Sequence, residues 1–325
     1  MVCPPHRIRS IHYLRAVAAL MVVVYHGFSY RLLTAADPAS VLWLREGVAL
    51  FFAISGYVMV VSTSDRTDAA SFLLRRLWRV GPLFWIATAC VALGSGERDW
   101  SRIVSSMLFL PHFSAETGTA VDPILPVGWT LNFEMAFYVL FALLLPLRRP
   151  VGLALAVVLL TALSCLGAAS EAPPVLRYYG QPILLNFVSG IIIAHFDIRL
   201  PRWLLPVGFM AMALTPQLGD GGAIAVTASA ALILASARSF DDRLKAWRVA
   251  EGLGDASYAI YLSHLFVLTP VLRLFGPDRP AAFILGVAGA VIAGMLVHLY
   301  VERPLTLLTR RRRSPRLHLY RPSAG

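Results

Sequence analysis

Apolar residues run through this chain in long blocks separated by short polar or basic connectors, and the blocks are too long for strands of an ordinary sheet. A helix that crosses a bilayer needs roughly 20 predominantly apolar residues. With that length as the ruler, ten blocks stand out, at about residues 11–29, 46–64, 78–94, 128–147, 151–169, 181–197, 202–216, 221–238, 253–275 and 281–301. The fifth, VGLALAVVLLTALSCLGAA, contains no charge at all. The seventh is the weakest, since it is short, contains Pro206 and stops at Pro216; a re-entrant or interfacial piece is its alternative, which would leave nine spans and reverse everything after it. The pattern predicts an all-α polytopic membrane protein of about ten transmembrane helices.

Composition agrees. Of 325 residues, 58% are hydrophobic and 14% charged, with a mean hydropathy of +0.68; a soluble domain has about 25% charged residues. Cys3, Cys90 and Cys165 lie far apart without the spacing of a disulfide framework or a zinc site, so no metal is expected. The net charge of +11 reads here as topology and not as nucleic-acid binding. Placing both termini and the even-numbered connectors on one side collects 21 Arg and Lys there against 7 on the other, with Arg15 inside the first span. The positive-inside rule then makes both termini cytoplasmic. The first span, carrying Arg15 and His26 with no small-residue cleavage site after it, is expected to be retained. Residues 1–305 are expected to form the membrane domain, and 306–325, with RRRR at 310–313, a flexible basic cytoplasmic tail held against anionic lipid. No internal repeat is visible, which counts against a secondary transporter.

Charge within a bilayer costs several kcal/mol, about 2.5–3.5 on insertion scales, so each intramembrane ionisable group marks a candidate site. Arg15 and His26 bracket AVAALMVVVY in the first span. Eleven helical positions leave them about 20° apart around the axis and about 16 Å apart along it, so they face one way. A snorkelling arginine and a carbonyl-bonded histidine are the plain alternative. Glu134, in GWTLNFEMAFYVLF, lies in the same leaflet as His26, with Trp129 at the interface. It is expected to orient His26 as a base, or else to be neutralised by burial. In DASYAIYLSHLF, Ser257, Tyr261 and His264 share a helical face, for substrate contact or for packing. Arg75, Arg76 and Arg79 stand at the cytoplasmic entrance; guanidinium forks suit phosphate, although such arginines also serve as ordinary anchors. His298 and Glu302 are expected to cap or anchor the last span.

Taken in order, RSIHYLRAVAALMVVVYH, EGVALFFAISGYVM, FLLRRLWRVGPLFW, LPVGWTLNFEMAFY, SYAIYLSH and VERPL resemble the membrane-bound acyltransferase 3 family, and within it the exopolysaccharide-modifying O-acetyltransferases. The resemblance implies an enzyme of the bacterial cytoplasmic (inner) membrane. It would take an acyl group, usually acetyl, from cytoplasmic acetyl-coenzyme A (acyl-CoA) and pass it to a hydroxyl of an extracytoplasmic or lipid-linked polysaccharide. The residues matching Arg15 and His26 are the family's functional pair, and those matching Arg75 and Arg76 hold the coenzyme A phosphates, with Arg79 beside them. Trp129, Tyr261, His264 and Glu46 are the expected substrate contacts. One departure is Ala49, where relatives commonly carry an acid; Glu46 or Glu134 is then expected to support the histidine. A transporter or flippase of a sugar-linked lipid or small anion is the rival reading, using the same arginine-lined entrance and buried histidine.

Overall fold

Backbone groups in hydrocarbon have no water to bond, so each apolar block satisfies its own N–H and C=O groups by forming a helix. A computed structural model of the protein describes residues 8–32, 39–169, 171–276 and 279–311. In chain order the helices are α1 (Arg9–Leu32), α2 (Ala39–Leu42), α3 (Gly47–Val61), α4 (Ala69–Ser95), α5 (Trp100–Met107), α6 (Trp129–Leu144), α7 (Arg149–Gly167), α8 (Pro174–Tyr179), α9 (Leu184–His195), α10 (Leu204–Leu214), α11 (Gly222–Arg238), α12 (Arg248–Phe275), α13 (Pro280–Val297) and α14 (Arg303–Arg311). A two-residue antiparallel pair, β1 (His112–Phe113) with β2 (Ala120–Val121), closes the loop before α6. Among the described residues seven helical segments are long and apolar enough to cross a membrane, and α9, α10 and α11 are shorter apolar helices. Together they occupy the ten predicted places, and the chain is an all-α polytopic membrane protein.

Contacts at the helix ends sort the bundle into two faces. At the face where α1 begins, Ser10 N–H donates to Asp241 Oδ1 at 3.0 Å, and Arg149 donates to the carbonyls of Thr63 and Val60 at 2.6 and 2.7 Å. Asp197 meets Arg238 there at 3.0 Å. At the opposite face Arg45, Glu46, Ile183, Thr215 and Gly222 surround one depression. The weakly predicted seventh block, α10, therefore runs from one face to the other: Leu200 N–H donates to Ala235 O before it, at 3.1 Å, and Thr215 beyond it reaches the Glu46 side. It packs antiparallel on α11, with Gly208 against Ile233.

Helix α1 lies at the centre, against α3, α11, α12 and α13. Its small buried residues Ala18 and Ala19 allow close approach, as does Gly47 of α3, whose absent Cβ would stand 2.5 Å from Ala18 O. An apolar core of Phe52, Phe133, Phe137 and Phe187 joins α3, α6 and α9, with ring centroids of Phe187 at 4.6 Å from Phe52 and 4.2 Å from Phe137. Exposed Leu93, Leu143, Val158, Ile224, Ile284 and Ile292 form part of the surface left for lipid.

Two boundaries differ from expectation. Helix α4 begins at Ala69, well before residue 78, because Asp68 caps it by accepting from Ser71 N–H at 2.7 Å. That bond holds the exposed Asp68 carboxyl below its ordinary pKa. The basic segment with Arg75, Arg76 and Arg79 is thus part of the helix. At the other end, a π-helical turn at His298–Glu302 leads into α14, so residues 306–311 of the expected tail continue a helix, and 312–325 lie outside the described residues. Cys90 and Cys165 are free and exposed, and Cys3 lies outside the described residues.

Candidate active site

Helices α1 and α12 pack along most of their length, and this contact decides where the two ionisable groups of α1 point. Arg15 Nε donates to Ser257 Oγ at 3.3 Å, and His26 Nδ1 lies 3.2 Å from His264 Nε2. Ser257 and His264 are seven residues apart on α12, two turns of one face. The shared face read from the sequence is therefore the face turned to α12. Close approach at the lower end is possible because Gly254 has no side chain: a Cβ there would lie 2.5 Å from His12 O.

Arg15 stands at a neck between two spaces. Towards the face of the chain ends a vestibule of about 670 Å³ is lined by His12, Arg15, Arg79, Asp255, His298, Glu302 and Arg303, among others. Its volume suits a drug-sized or nucleotide-sized molecule. Inward lies a chamber of about 80 Å³, walled by apolar residues of α3 together with Arg15, Ser55, Arg79, Thr130, Glu134, Tyr138, Tyr258 and Tyr261. That is room for a few waters or a small acyl group. Arg15 and Arg79 line both spaces. Among the described residues neither makes an ion pair, and Arg15 bonds only Ser257, so its terminal nitrogens remain for a ligand. Across the vestibule His298 Nδ1 and Glu302 Oε2 meet at 2.7 Å over the π turn, a helix defect of the kind found often at functional sites.

Glu134 Oε1 accepts from Ser55 Oγ at 3.1 Å and from the hydroxyl of Tyr138 one turn on. Among the described residues no hydrogen bond joins it to His26, so the expected orienting contact is absent. Glu46 is engaged by Arg45 Nε at 2.8 Å on the opposite face, and Ala49 is fully buried in an apolar cluster between α1, α3 and α11. The ring of His26 is instead held by Val22 O at 2.9 Å and by His264. His264 is fully buried, with Nδ1 at 2.6 Å from Tyr261 O, so both its ring nitrogens are occupied by protein and none is left for a substrate. Tyr261 lines the chamber, and its ring stands 6.2 Å from that of His264. Its hydroxyl donates to Val127 O at 3.1 Å and pairs with Thr130 Oγ1 at 2.8 Å. Trp129 opens α6 with its ring against Phe133.

The three arginines of α4 separate. Arg79 reaches the neck. Arg76 lies over the rings of Phe72 and Tyr138 at 5.3 and 5.8 Å and donates to Ser62 Oγ at 2.7 Å, beside the carboxylate end of the chamber. Arg75 is exposed on the outside of the helix. Ser55, Thr130 and Tyr258 escaped the sequence reading because uncharged hydroxyls leave no mark in a search for intramembrane charge. Arg303 and His12 escaped it because basic residues at a membrane boundary look like anchors.

Comparison with known proteins adds chemistry to this geometry. The family model described as an acyltransferase domain matches residues 8–299. The exopolysaccharide production protein ExoZ of Rhizobium meliloti (strain 1021) is 33% identical over 298 residues, covering 82% of this chain and 91% of the relative. The acyltransferase MdmB of Streptomyces mycarofaciens is 27% identical, covering 82% of each chain. Nodulation protein 10 of Rhizobium leguminosarum bv. viciae is 24% identical, covering 90% of this chain and 91% of the relative. No solved structure matches the chain.

Proposed function

The chain belongs to the acyltransferase 3 family and is an acyltransferase embedded in a membrane, and from that premise we propose that it moves an acetyl group from cytoplasmic acetyl-CoA to a hydroxyl of an extracytoplasmic or lipid-linked polysaccharide. The membrane is the bacterial cytoplasmic (inner) one, and the face bearing the chain ends is cytoplasmic, in keeping with the positive-inside count. The polysaccharide acceptor is suggested by the relative ExoZ, an exopolysaccharide production protein.

One observation carries the reading: two arginines without an ion-pair partner among the described residues, Arg15 and Arg79, stand where a wide vestibule narrows into a small chamber. An unpaired cation within a bilayer is costly, and a polyanion with a thin arm relieves that cost. The bulky phosphate-bearing part of the donor occupies the vestibule against Arg79, Arg303 and Arg15, while the pantetheine arm carries the thioester inward. Arg75 and Arg76 line neither space. Arg76 braces Tyr138, and through it Glu134, at the chamber wall.

Beyond Tyr261, His26, which itself lines neither space, takes the proton of the acceptor hydroxyl. The oxygen attacks the thioester carbonyl, the carbon–sulfur bond breaks, and the coenzyme thiolate leaves and is protonated. Tyr261 lies between chamber and histidine pair, so the acyl group passes it to reach the acceptor. Glu134, held by Ser55 and Tyr138, lines the chamber together with Arg15 and shapes it; in this reading it does not orient His26. Trp129 and Glu46, towards the outer face, are the proposed glycan contacts.

Mass spectrometry of surface glycans from cells with and without the protein tests this. Acetyl esters present with the protein, absent without it and absent with His26→Ala are the expected result; unchanged glycan acetylation on deletion overturns the proposal. In membrane vesicles His26→Ala should lower transfer by about 100-fold or more, the usual range for a general base.

A further inference from the structure

The two histidines that meet between α1 and α12 carry more information than their distance. A carbonyl oxygen only accepts hydrogen bonds. His264 Nδ1, at 2.6 Å from Tyr261 O, therefore carries a proton. A neutral His264 then has a bare Nε2, and that atom faces His26 Nδ1 at 3.2 Å. His26 Nδ1 is also 2.9 Å from Val22 O, again an obligatory acceptor. Both contacts require a proton on His26 Nδ1, shared between the Val22 carbonyl and His264 Nε2 as a three-centre bond. The second proton that would make His264 cationic has no place, since it would set two N–H groups against each other at a fully buried site with no bonded carboxylate among the described residues. The rings are tilted at 53° with centroids 4.8 Å apart, so the contact is made through the nitrogens and not by stacking.

We infer that His264 is a positioning residue: it holds His26 with its proton on Nδ1, which leaves the His26 Nε2 lone pair as the basic nitrogen facing the acceptor. Helix α12 is itself anchored on this turn, because the Tyr261 hydroxyl donates to Val127 O at the start of α6. The acceptor nitrogen thus stands on a braced element and fixes both tautomer and ring orientation. In this protein an imidazole takes the place that a carboxylate fills beside many catalytic histidines. A neutral partner orients the ring without drawing it towards the imidazolium state before the acceptor arrives. The inference rests on the reading of His26 as the base.

The test uses the full chain in membrane vesicles supplied with radiolabelled acetyl-CoA and the acceptor present in those membranes. His264→Phe fills the same space without an acceptor, and is expected to lower kcat by about 10-fold to 100-fold, the range seen when a histidine loses its orienting partner, with KM for acetyl-CoA within about twofold. His264→Gln offers an amide oxygen at the position of Nε2 and an N–H to Tyr261 O, and is expected to restore most of kcat. Ring-nitrogen NMR on isotope-labelled wild type, with His26 assigned by its absence in His26→Ala, is expected to show His26 protonated on Nδ1. Equal loss in His264→Phe and His264→Gln, a loss confined to KM, or a His26 proton on Nε2 would overturn the inference. Near-normal transfer by His26→Ala would instead overturn the proposed base, and the NMR result would still decide the tautomer on its own, even if His264→Phe fails to fold.

Discussion

Three arginines inside the bundle differ in the partners they find. Arg238 is 6% exposed, pairs with Asp241 and Asp197, and lies 5.1 Å over the ring of Tyr57, while Asp241 also accepts from Ser10 N–H. This network joins the start of α1 to the ends of α9 and α11. Removing Asp241 leaves Arg238 only the exposed Asp197 and leaves Ser10 N–H without its acceptor, so Asp241→Ala is expected to destabilise the protein by about 1–3 kcal/mol, read as a lower thermal midpoint in detergent with KM for the donor unchanged. Arg15 and Arg79 lack such mates. Arg15→Met is therefore expected to leave the midpoint unchanged or raised, and to raise KM for acetyl-CoA at least about tenfold, as charge-assisted bonds to a phosphate are lost; a lowered midpoint with unaltered KM would make Arg15 structural. Arg15, His26 and Glu134 were legible as residues because a charge interrupts an apolar run. Their partners were not. His264 lies 238 positions from His26, and nothing in periodicity says which of α12's polar residues it meets. Glu134 was assigned to His26 on shared depth alone, and depth does not give azimuth: its helix turns it to Ser55 of α3 and to Tyr138.

Helix elements follow their apolar blocks closely, and where they deviate a named contact is responsible. Asp68 extends α4 by an early cap. The short α9 survives because it packs backbone to backbone on α3: a Cβ on Gly190 would lie 2.0 Å from Ala53 O, and one on Gly56 2.2 Å from Phe187 O. Gly190→Val is expected to force the two helices apart at a cost of about 1–3 kcal/mol or more, seen as a lowered midpoint or loss of folded protein, whereas Gly94→Ala, with open space around it, should be tolerated. Hydropathy found α9, α10 and α11 but not why helices of 12, 11 and 17 residues suffice. The answer lies in mutual packing, which covers much of their surface with protein.

Across the molecule, the sorting of basic residues and the sorting of helix ends agree, which was the most legible property of the sequence because it sums many weak signals. It sets the vestibule on the same face as both ends of the bundle. In a variant freed of its native cysteines, Glu116→Cys is expected to react with an impermeant maleimide in intact cells and Arg243→Cys only after permeabilisation; the reverse would invert the orientation. The vestibule and chamber were not legible, since they arise from gaps between α1, α3, α4, α6, α12 and α13 that no single block encodes. The most direct test of the whole account is transfer across a sealed membrane. Proteoliposomes holding the full chain are given radiolabelled acetyl-CoA on the face of the chain ends and polysaccharide on the other. The account predicts acetyl ester on the polysaccharide, lost with His26→Ala and sharply weakened with Arg15→Met. Transfer only when donor and acceptor share the opposite face, or transfer indifferent to His26, would contradict it.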